Sequence, residues 1–385
     1  MKHRALFILL FVALLVSAWA LPVAAQTGSG DFETIRKAGE AYLTSGKPMM
    51  ITAEELYAKL TDADKANDPF LLDVCAAADY LKGHIPGAIN VVRPVTFNAE
   101  NLAKYPKDRQ IVVYCYTGTG SSYPAMALNM AGYNAVSLQF GKSSWTRDET
   151  AASGRFNPAK DVFKYPVKTD VVAAKGPFKL PTVNTGASTP NDVIIAAAKA
   201  YLTSEWGKAV SQPANKLFEN LNDGDDSNNP TILDVRTPEQ YAKGHIPGAI
   251  NIPLKELAKT ENLAKLDPAK EVWVVDGAGQ TSGFGSMLLN MLGYKATIVK
   301  YGMTAWTADA AVAPGAFDNA KDSHDYPFAT GDQPGAMPTT AAAPAAAPAA
   351  ATPAPAAMPK TGAPLIALLL AGLGLTAAGV ALRRK

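Results

Sequence analysis

The sequence predicts an α/β protein made of two homologous domains, each a small parallel sheet flanked by helices. Two observations predict this fold class. A long internal repeat relates the two halves of the chain, and within each half short β-branched runs alternate with helical patterns, as in βαβ units. The length of 385 residues and the 48% apolar composition fit a globular protein of two domains.

The internal repeat has a constant offset of 161 residues over most of its length. The segment 83–90, with the sequence GHIPGAIN, returns unchanged at 244–251. A unit of this length is a whole domain rather than a solenoid repeat. We therefore assign the domains to 32–167 and 191–328, joined by a proline-bearing linker over 168–190 that lacks strong periodicity.

The secondary structure of the first copy follows from its hydrophobic patterns. Short apolar and β-branched runs predict strands over 70–74, 111–114 and 135–138. Helical spacing of apolar residues predicts helices over 76–81 and 124–130, the second starting at its proline. Ligands of parallel sheets bind beyond the carboxyl ends of the strands, so we expect the functional site at that edge.

The N-terminus carries an export signal. Residues 1–25 combine a basic start, a short apolar run and small residues where a signal peptidase cleaves, so we expect cleavage before Gln26. An uncleaved anchor helix is the alternative interpretation. In both cases the domains are exported.

The C-terminus carries a surface anchor. An Ala/Pro-rich segment over 331–360 predicts an extended spacer. The 18 uncharged residues 365–382 could span a membrane, with the basic tail that follows on the cytoplasmic side. The segment 358–362, MPKTG, resembles the sortase signal L-P-x-T-G with methionine in place of leucine, so a plain membrane anchor is the simpler interpretation. We expect domains tethered outside the cell membrane or cell wall.

The strand 111–114 delivers a cysteine, Cys115, into a loop of small and hydroxyl residues that opens a helix. Glycines in this loop allow a tight turn with inward-pointing amides, and the helix N-terminus favours negative charge. These features favour a thiolate and predict a nucleophile at Cys115. We predict that an anion cradle is formed by the loop residues Tyr116, Thr117, Gly118, Thr119, Gly120 and Ser121.

Together these motifs resemble the rhodanese (sulfurtransferase) family. They are Leu72-Asp73-Val74, the segment 83–90, a strand that ends in Cys115, Gly132-Tyr133 and a Gly-x-x-x-Trp motif that ends at Trp145. The resemblance covers both copies and implies small parallel α/β domains. It implies that Cys115 takes sulfane sulfur from a donor such as thiosulfate and passes it, as a persulfide, to a thiophilic acceptor such as cyanide or a thiol. No metal or organic cofactor is implied.

Two departures from the family pattern affect function. The loop has the length of sulfur-transferring members, but it lacks the Arg or Lys that many members use for an anionic donor, which leaves the preferred donor open. In the second copy, Asp276 stands where the first has Cys115. A carboxylate cannot carry a persulfide, so we expect the second domain to be inactive and to serve packing, docking or stability.

A second cysteine, Cys75, stands where the second copy has Arg236, near the end of a neighbouring strand. It could approach Cys115 and form a disulfide, either structural or as a resolving step. A thiol-disulfide redox protein using these two cysteines is therefore one alternative function. A non-enzymatic surface binding module is another.

Other repeated residues are predicted to be structural. Both copies keep the histidine of the GHIPGAIN segment, His84 and His245, while only one keeps the cysteine, which favours a turn-stabilising role. The strand-ending Asp73 and Asp234 are expected to hydrogen-bond backbone or a basic partner, and the repeated tryptophans to lie in the core. The net charge of +2 without a long basic stripe argues against a nucleic-acid partner, and no cysteine or histidine spacing predicts a metal site.

Overall fold

A computed structural model describes residues 30–337. The predicted signal peptide (1–25), most of the spacer (331–360) and the anchor (365–382) lie outside the described residues. Within 30–337, no helix combines the length and apolarity needed to cross a membrane.

Each domain contains a five-stranded, fully parallel sheet, which confirms the predicted fold class. The strand order is β1-β5-β4-β2-β3 in domain 1 and β6-β10-β9-β7-β8 in domain 2. The strands of domain 1 are β1 Met50–Ile51, β2 Phe70–Asp73, β3 Ile89–Asn90, β4 Ile111–Tyr114 and β5 Ala135–Leu138. Those of domain 2 are β6 Ser211–Gln212, β7 Thr231–Asp234, β8 Ile250–Asn251, β9 Glu271–Val275 and β10 Lys295–Val299.

Helices and short 3-10 turns connect the strands and cover both sheets. In domain 1 the helices are α1 Gly30–Leu43, α2 Ala53–Thr61, α3 Ala77–Lys82, α4 Ala99–Leu102, α5 Thr119–Met130, α6 Lys142–Trp145 and α7 Pro158–Asp161. In domain 2 they are α8 Pro190–Thr203, α9 Glu205–Lys208, α10 Ala214–Leu221, α11 Pro238–Lys243, α12 Thr260–Leu263, α13 Thr281–Met291, α14 Gly302–Trp306 and α15 Asn319–Asp322. The 3-10 turns are Lys65–Asn67, Arg93–Val95 and Leu254–Glu256.

The two domains pack through their homologous helices α5 and α13. The helices approach closely because small residues meet there: a Cβ on Gly283 would overlap Ser122 Oγ. The buried Tyr123 hydroxyl donates to the Val210 carbonyl at 2.8 Å and lies 2.9 Å from Ser286 Oγ, and both contacts cross this interface. Since α5 begins directly after the Cys115 loop, the interface fixes the position of that loop.

The leading helix of each domain packs on the other domain. Helix α1 reaches domain 2, where Arg36 Nη1 donates to the Ala258 carbonyl at 3.1 Å. Helix α8 reaches domain 1, where the Tyr201 and Tyr123 rings stack with centroids 6.0 Å apart. One apolar cluster therefore contains residues of both domains.

The C-terminal segments are also exchanged. Tyr165, near the end of domain 1, donates its backbone N–H to the Trp306 carbonyl of domain 2. Tyr326, near the end of domain 2, donates its backbone N–H to the Trp145 carbonyl of domain 1, and both distances are 3.1 Å. Each buried indole N–H donates back to the proline that follows that tyrosine, at 2.7 and 2.8 Å. The predicted domains 32–167 and 191–328 thus each end in a segment that completes the other domain.

Candidate active site

Cys115 immediately follows β4, at the carboxyl edge of the domain 1 sheet, and is 5% exposed. Its backbone is fixed by α6, since the Lys142 N–H donates to the Cys115 carbonyl at 2.8 Å. Gly141 makes this approach feasible, because it has a φ of 55° and a Cβ there would overlap the Cys115 carbonyl. The thiol is therefore held where ligands of parallel sheets bind.

The helix after the loop begins earlier than the sequence predicts. Instead of starting at Pro124, α5 starts at Thr119, so Thr119, Gly120 and Ser121 form its first turn rather than a loop. Gly118, with a φ of 82°, makes the bend that starts the helix. The sequence did not predict this first turn because its small residues have low helix propensity. The interface with domain 2 holds the turn in place. The first-turn amides of a helix have no helical acceptors and favour an anion.

The structure separates the predicted cradle hydroxyls into two groups. Ser121 Oγ lies 3.6 Å from Cys115 Sγ. The Thr119 hydroxyl instead donates to the Gly279 carbonyl at 2.9 Å, and the Tyr116 hydroxyl donates to Asp79 at 2.6 Å. Of these three side chains, Ser121 alone contacts the thiol. The Thr119 and Tyr116 hydroxyls instead bind residues outside the loop and thereby fix its position.

Domain 2 holds the remaining loop atoms of domain 1. Gln280 Nε2 donates to the Thr117 carbonyl at 2.8 Å, and it also lies against Gly118, where a Cβ would be 2.8 Å from it. Domain 2 therefore positions the Cys115 loop although it lacks a cysteine of its own.

The homologous loop of domain 2 contains a buried carboxyl group. Asp276, at the position of Cys115, is buried and accepts four hydrogen bonds from its own loop. The donors are Gly279 N at 2.5 Å, Gln280 N at 3.0 Å, Ser282 N at 3.1 Å and Ser282 Oγ at 3.2 Å. Burial raises the pKa of Asp276, and these hydrogen bonds oppose that rise by favouring the carboxylate.

The donors around Asp276 correspond to residues around Cys115. At the repeat offset they map to the amides of Gly118, Thr119 and Ser121 and to the Ser121 hydroxyl. The Ser121 hydroxyl has the matching contact to Cys115 Sγ. The loop of domain 2 therefore directs donors at its central side chain, and in domain 1 a sulfur atom stands at the equivalent position.

A cation that the sequence analysis missed lies beside the loop. Arg93, in the 3-10 turn after β3, places Nη1 3.0 Å from the position that a Cβ on Gly120 would take, and Cys115 Sγ lies 3.5 Å from the same point. No motif marks this arginine. Comparing the two copies could have found it, because Leu254 stands at the equivalent position.

Cys75 is linked to a changed ion pair. In domain 2, Arg236 pairs with Asp234 at 2.6 Å and is buried with it. In domain 1, where Cys75 replaces the arginine, Lys142 reaches Asp73 at 3.0 Å from another element, and both side chains are buried. Lys142 thus takes over the charge that Cys75 cannot supply.

The Cys75 thiol is free, as is that of Cys115, and both lie in one apolar cluster. Burial, and then the Asp73 carboxylate, raise the pKa of Cys75 well above its usual range. A protonated thiol is a poor nucleophile, so this environment argues against Cys75 as a resolving thiol.

We therefore expect Cys75→Ser to keep at least half of the wild-type sulfur uptake, because burial and the raised pKa keep the Cys75 thiol protonated and a poor nucleophile. Intact-mass measurement after exposure to thiosulfate, with wild type in parallel, checks this. Loss of uptake in a folded Cys75→Ser protein would contradict it and favour a cysteine pair.

The repeated histidine is held within its turn. His84 is buried, stacks on Tyr80 and has ring nitrogens 3.0 Å from the carbonyls of Tyr80 and Gln333. These contacts suit the structural role expected from the sequence. Within residues 30–337, no three His, Cys, Asp or Glu side chains group as metal ligands would.

The comparisons with known proteins agree with this geometry. The model of the rhodanese-like domain family matches twice, over 52–148 and 214–309. The chain belongs to the rhodanese-like domain family. The first match contains Cys115 and the second Asp276, so the two rhodanese-like domains differ at the centre of their loops.

Several relatives carry sulfur-transfer names. The chain is 45% identical over 62 residues to thiosulfate sulfurtransferase PspE of Escherichia coli, covering 16% of this chain and 60% of that one. It is 32% identical over 98 residues to a sulfurtransferase of Allochromatium vinosum, covering 25% and 87%. With Bacillus subtilis YrkF it shares 35% identity over 106 residues, 27% of this chain and 55% of that protein. The chain therefore spans less than two thirds of PspE and of YrkF.

Among solved structures, the alignment with a thiosulfate sulfurtransferase from Pseudomonas aeruginosa covers 80% of this chain and 49% of the chain of that structure. The identity is 20% and the TM-score 0.26.

Proposed function

We propose that the protein is a sulfurtransferase that moves sulfane sulfur from a donor such as thiosulfate to a thiophilic acceptor through a persulfide on Cys115. Membership of the rhodanese-like family supports sulfur transfer in general. The observation that carries the assignment to Cys115 is the buried Asp276 carboxylate, bound by four donors of the homologous loop. A loop that stabilises a carboxylate there can stabilise a thiolate and a persulfide.

The proposed reaction has two balanced steps. The Cys115 thiolate attacks the outer sulfur of thiosulfate, the S–S bond breaks, and sulfite leaves with the bond's electron pair. The product is the Cys115 persulfide anion. A nucleophilic acceptor such as cyanide then attacks the terminal sulfur and leaves as thiocyanate, which regenerates the thiolate. The loop amides and Ser121 hold the negative charge at both stages.

Domain 2 acts as a support in this proposal. Its Asp276 offers no sulfur, whereas Gln280 and the Gly279 carbonyl bind the Thr117 carbonyl and the Thr119 hydroxyl of the active loop. Removing domain 2 would leave these groups and the α5 face exposed.

A steady-state assay tests the function. Purified protein given thiosulfate and cyanide should form thiocyanate and sulfite in equal amounts, since one sulfur moves for each S–S bond broken. Failure to form thiocyanate from thiosulfate, and also from a thiol persulfide as a second donor, would contradict sulfur transfer.

We also propose that the protein is exported and held at the outer face of the cell by its C-terminal segment. The support is the sequence pattern of 1–25 and 365–382. Protease treatment of intact cells should remove the domains while a cytoplasmic marker survives. Survival of the domains until the cells are lysed would contradict this placement.

A further inference from the structure

The active loop contains no basic residue, although thiosulfate is a dianion. From Tyr116 to Ser121 the loop offers amides and hydroxyls only. The nearby Lys142 is paired with the buried Asp73 at 3.0 Å, so its charge is already balanced. A positive charge for the donor must therefore come from another element.

Arg93 lies where such a charge is needed. Its Nη1 and the Cys115 sulfur lie 3.0 and 3.5 Å from a single point, the position of a Cβ on Gly120. Its Nη2 donates to two domain 2 carbonyls, those of Gly207 at 3.3 Å and Lys208 at 3.2 Å. Nη2 is thus fixed by domain 2, while Nη1 lies on the side of Cys115.

The guanidinium has donor capacity left over. Nε is buried and has no partner within the described part of the chain. A buried N–H without an acceptor costs free energy, and a hydrogen bond from a guanidinium nitrogen such as Nη1 to an oxyanion is charge-assisted. Arginine suits this task because its planar donors match the oxygens of a sulfonate or phosphate group.

The second copy provides an internal comparison. Its cradle already holds the carboxylate of Asp276, and at the position of Arg93 it has the buried, uncharged Leu254. The arginine therefore occurs in the copy with a reactive sulfur and is absent from the copy with a built-in anion.

We propose that Arg93 binds the anionic sulfonate end of the donor and that domain 2, through the Gly207 and Lys208 carbonyls, holds it in place. This inference rests on the proposed function for the identity of the donor. It makes the catalytically inactive domain a structural part of the donor site. It also selects oxyanion donors over uncharged ones.

Alkylation of Cys115 tests the charge independently of sulfur transfer. Iodoacetate and iodoacetamide react with the same thiolate, but iodoacetate alone is anionic. The Arg93→Gln variant should lower the iodoacetate-to-iodoacetamide rate ratio at Cys115 roughly tenfold, as loss of a nearby positive charge predicts. Any change in the thiolate fraction affects both reagents alike, so the ratio isolates the charge.

The exposed Arg109, which lies over the Phe70 ring at the opposite end of β4, supplies the control. Arg109→Gln carries the same charge change and should leave the ratio unchanged. An unchanged ratio in a folded Arg93→Gln protein, or an equal fall in Arg109→Gln, would overturn the proposal.

Kinetics with thiosulfate separate this inference from the proposed function. In wild type we expect sulfate to compete with thiosulfate. In Arg93→Gln, KM for thiosulfate should rise about tenfold and the inhibition by sulfate should disappear, whereas Arg93→Lys should restore part of the thiosulfate affinity and part of the inhibition. If wild type transfers sulfur and Arg93→Gln matches it, the arginine proposal is overturned. If wild type transfers no sulfur but the alkylation ratio falls in Arg93→Gln, the proposed function is wrong, while the inference that Arg93 places a positive charge beside Cys115 is supported.

Discussion

Cys115→Ser should abolish thiocyanate formation from thiosulfate and cyanide. A serine hydroxyl fits the same space but cannot accept and release a sulfane sulfur at neutral pH. The surrounding loop should stay folded, because its contacts to Gln280 and Gly279 are made by other residues. The assay is product formation over time, and a thermal unfolding curve shows that the variant is folded.

Cys75 makes this test informative, because it remains in the Cys115→Ser protein as the one other cysteine of the chain. If the Cys115→Ser protein forms thiocyanate at the wild-type rate, the sulfur is carried by Cys75 or by no cysteine. Either result would contradict the mechanism. The Cys75→Ser variant is the matched control with the other thiol left in place.

Lys142→Met should lower the free energy of unfolding by about 3–5 kcal/mol, the cost of leaving one partner of a buried ion pair alone. Lys142 and Asp73 are 3% and 0% exposed, and Lys142 also donates to the Gly83 carbonyl at 2.7 Å. Methionine is chosen because domain 2 has Met303 at the equivalent position. Urea unfolding of wild type and variant gives the difference.

Adding Cys75→Arg to Lys142→Met should recover most of that loss. It recreates the domain 2 arrangement, in which Arg236 pairs with Asp234 and donates to the Gly244 carbonyl at 2.7 Å. In a double-mutant cycle the two changes should show strong favourable coupling, while Cys75→Arg alone places two cations beside one carboxylate and destabilises. If the effects of the two substitutions on the free energy of unfolding are additive, an arginine at position 75 does not replace the charge of Lys142.

The sequence predicted those features that local pattern or repetition records. The repeat defined two domains, and alternating patterns located β2, β4 and β5 to within a residue. Cys115 at a strand end marked the site edge. The start of α5 was wrong because a first turn of Thr, Gly and Ser has weak helix propensity and forms against the other domain.

Features that depend on contacts distant in sequence could not be read directly. The repeated Tyr165 and Tyr326 showed that two segments are equivalent but not that each packs on the other domain. Arg93 belongs to no motif and is brought to the thiol by the fold. The difference between the copies at this position was visible in the sequence, as it was for Lys142 and Met303. Such differences between the copy with Cys115 and the copy with Asp276 mark the residues around the candidate site.

The measurement that tests the central claim most directly is the intact mass of the protein before and after thiosulfate, with Cys115→Ser and Cys75→Ser in parallel. We expect a gain of one sulfur atom, about 32 Da, in wild type and Cys75→Ser, absent from Cys115→Ser and removed by cyanide. A resting mass lower by two hydrogens, restored by reductant and unchanged by thiosulfate, would contradict the persulfide mechanism and identify Cys75 and Cys115 as a redox pair.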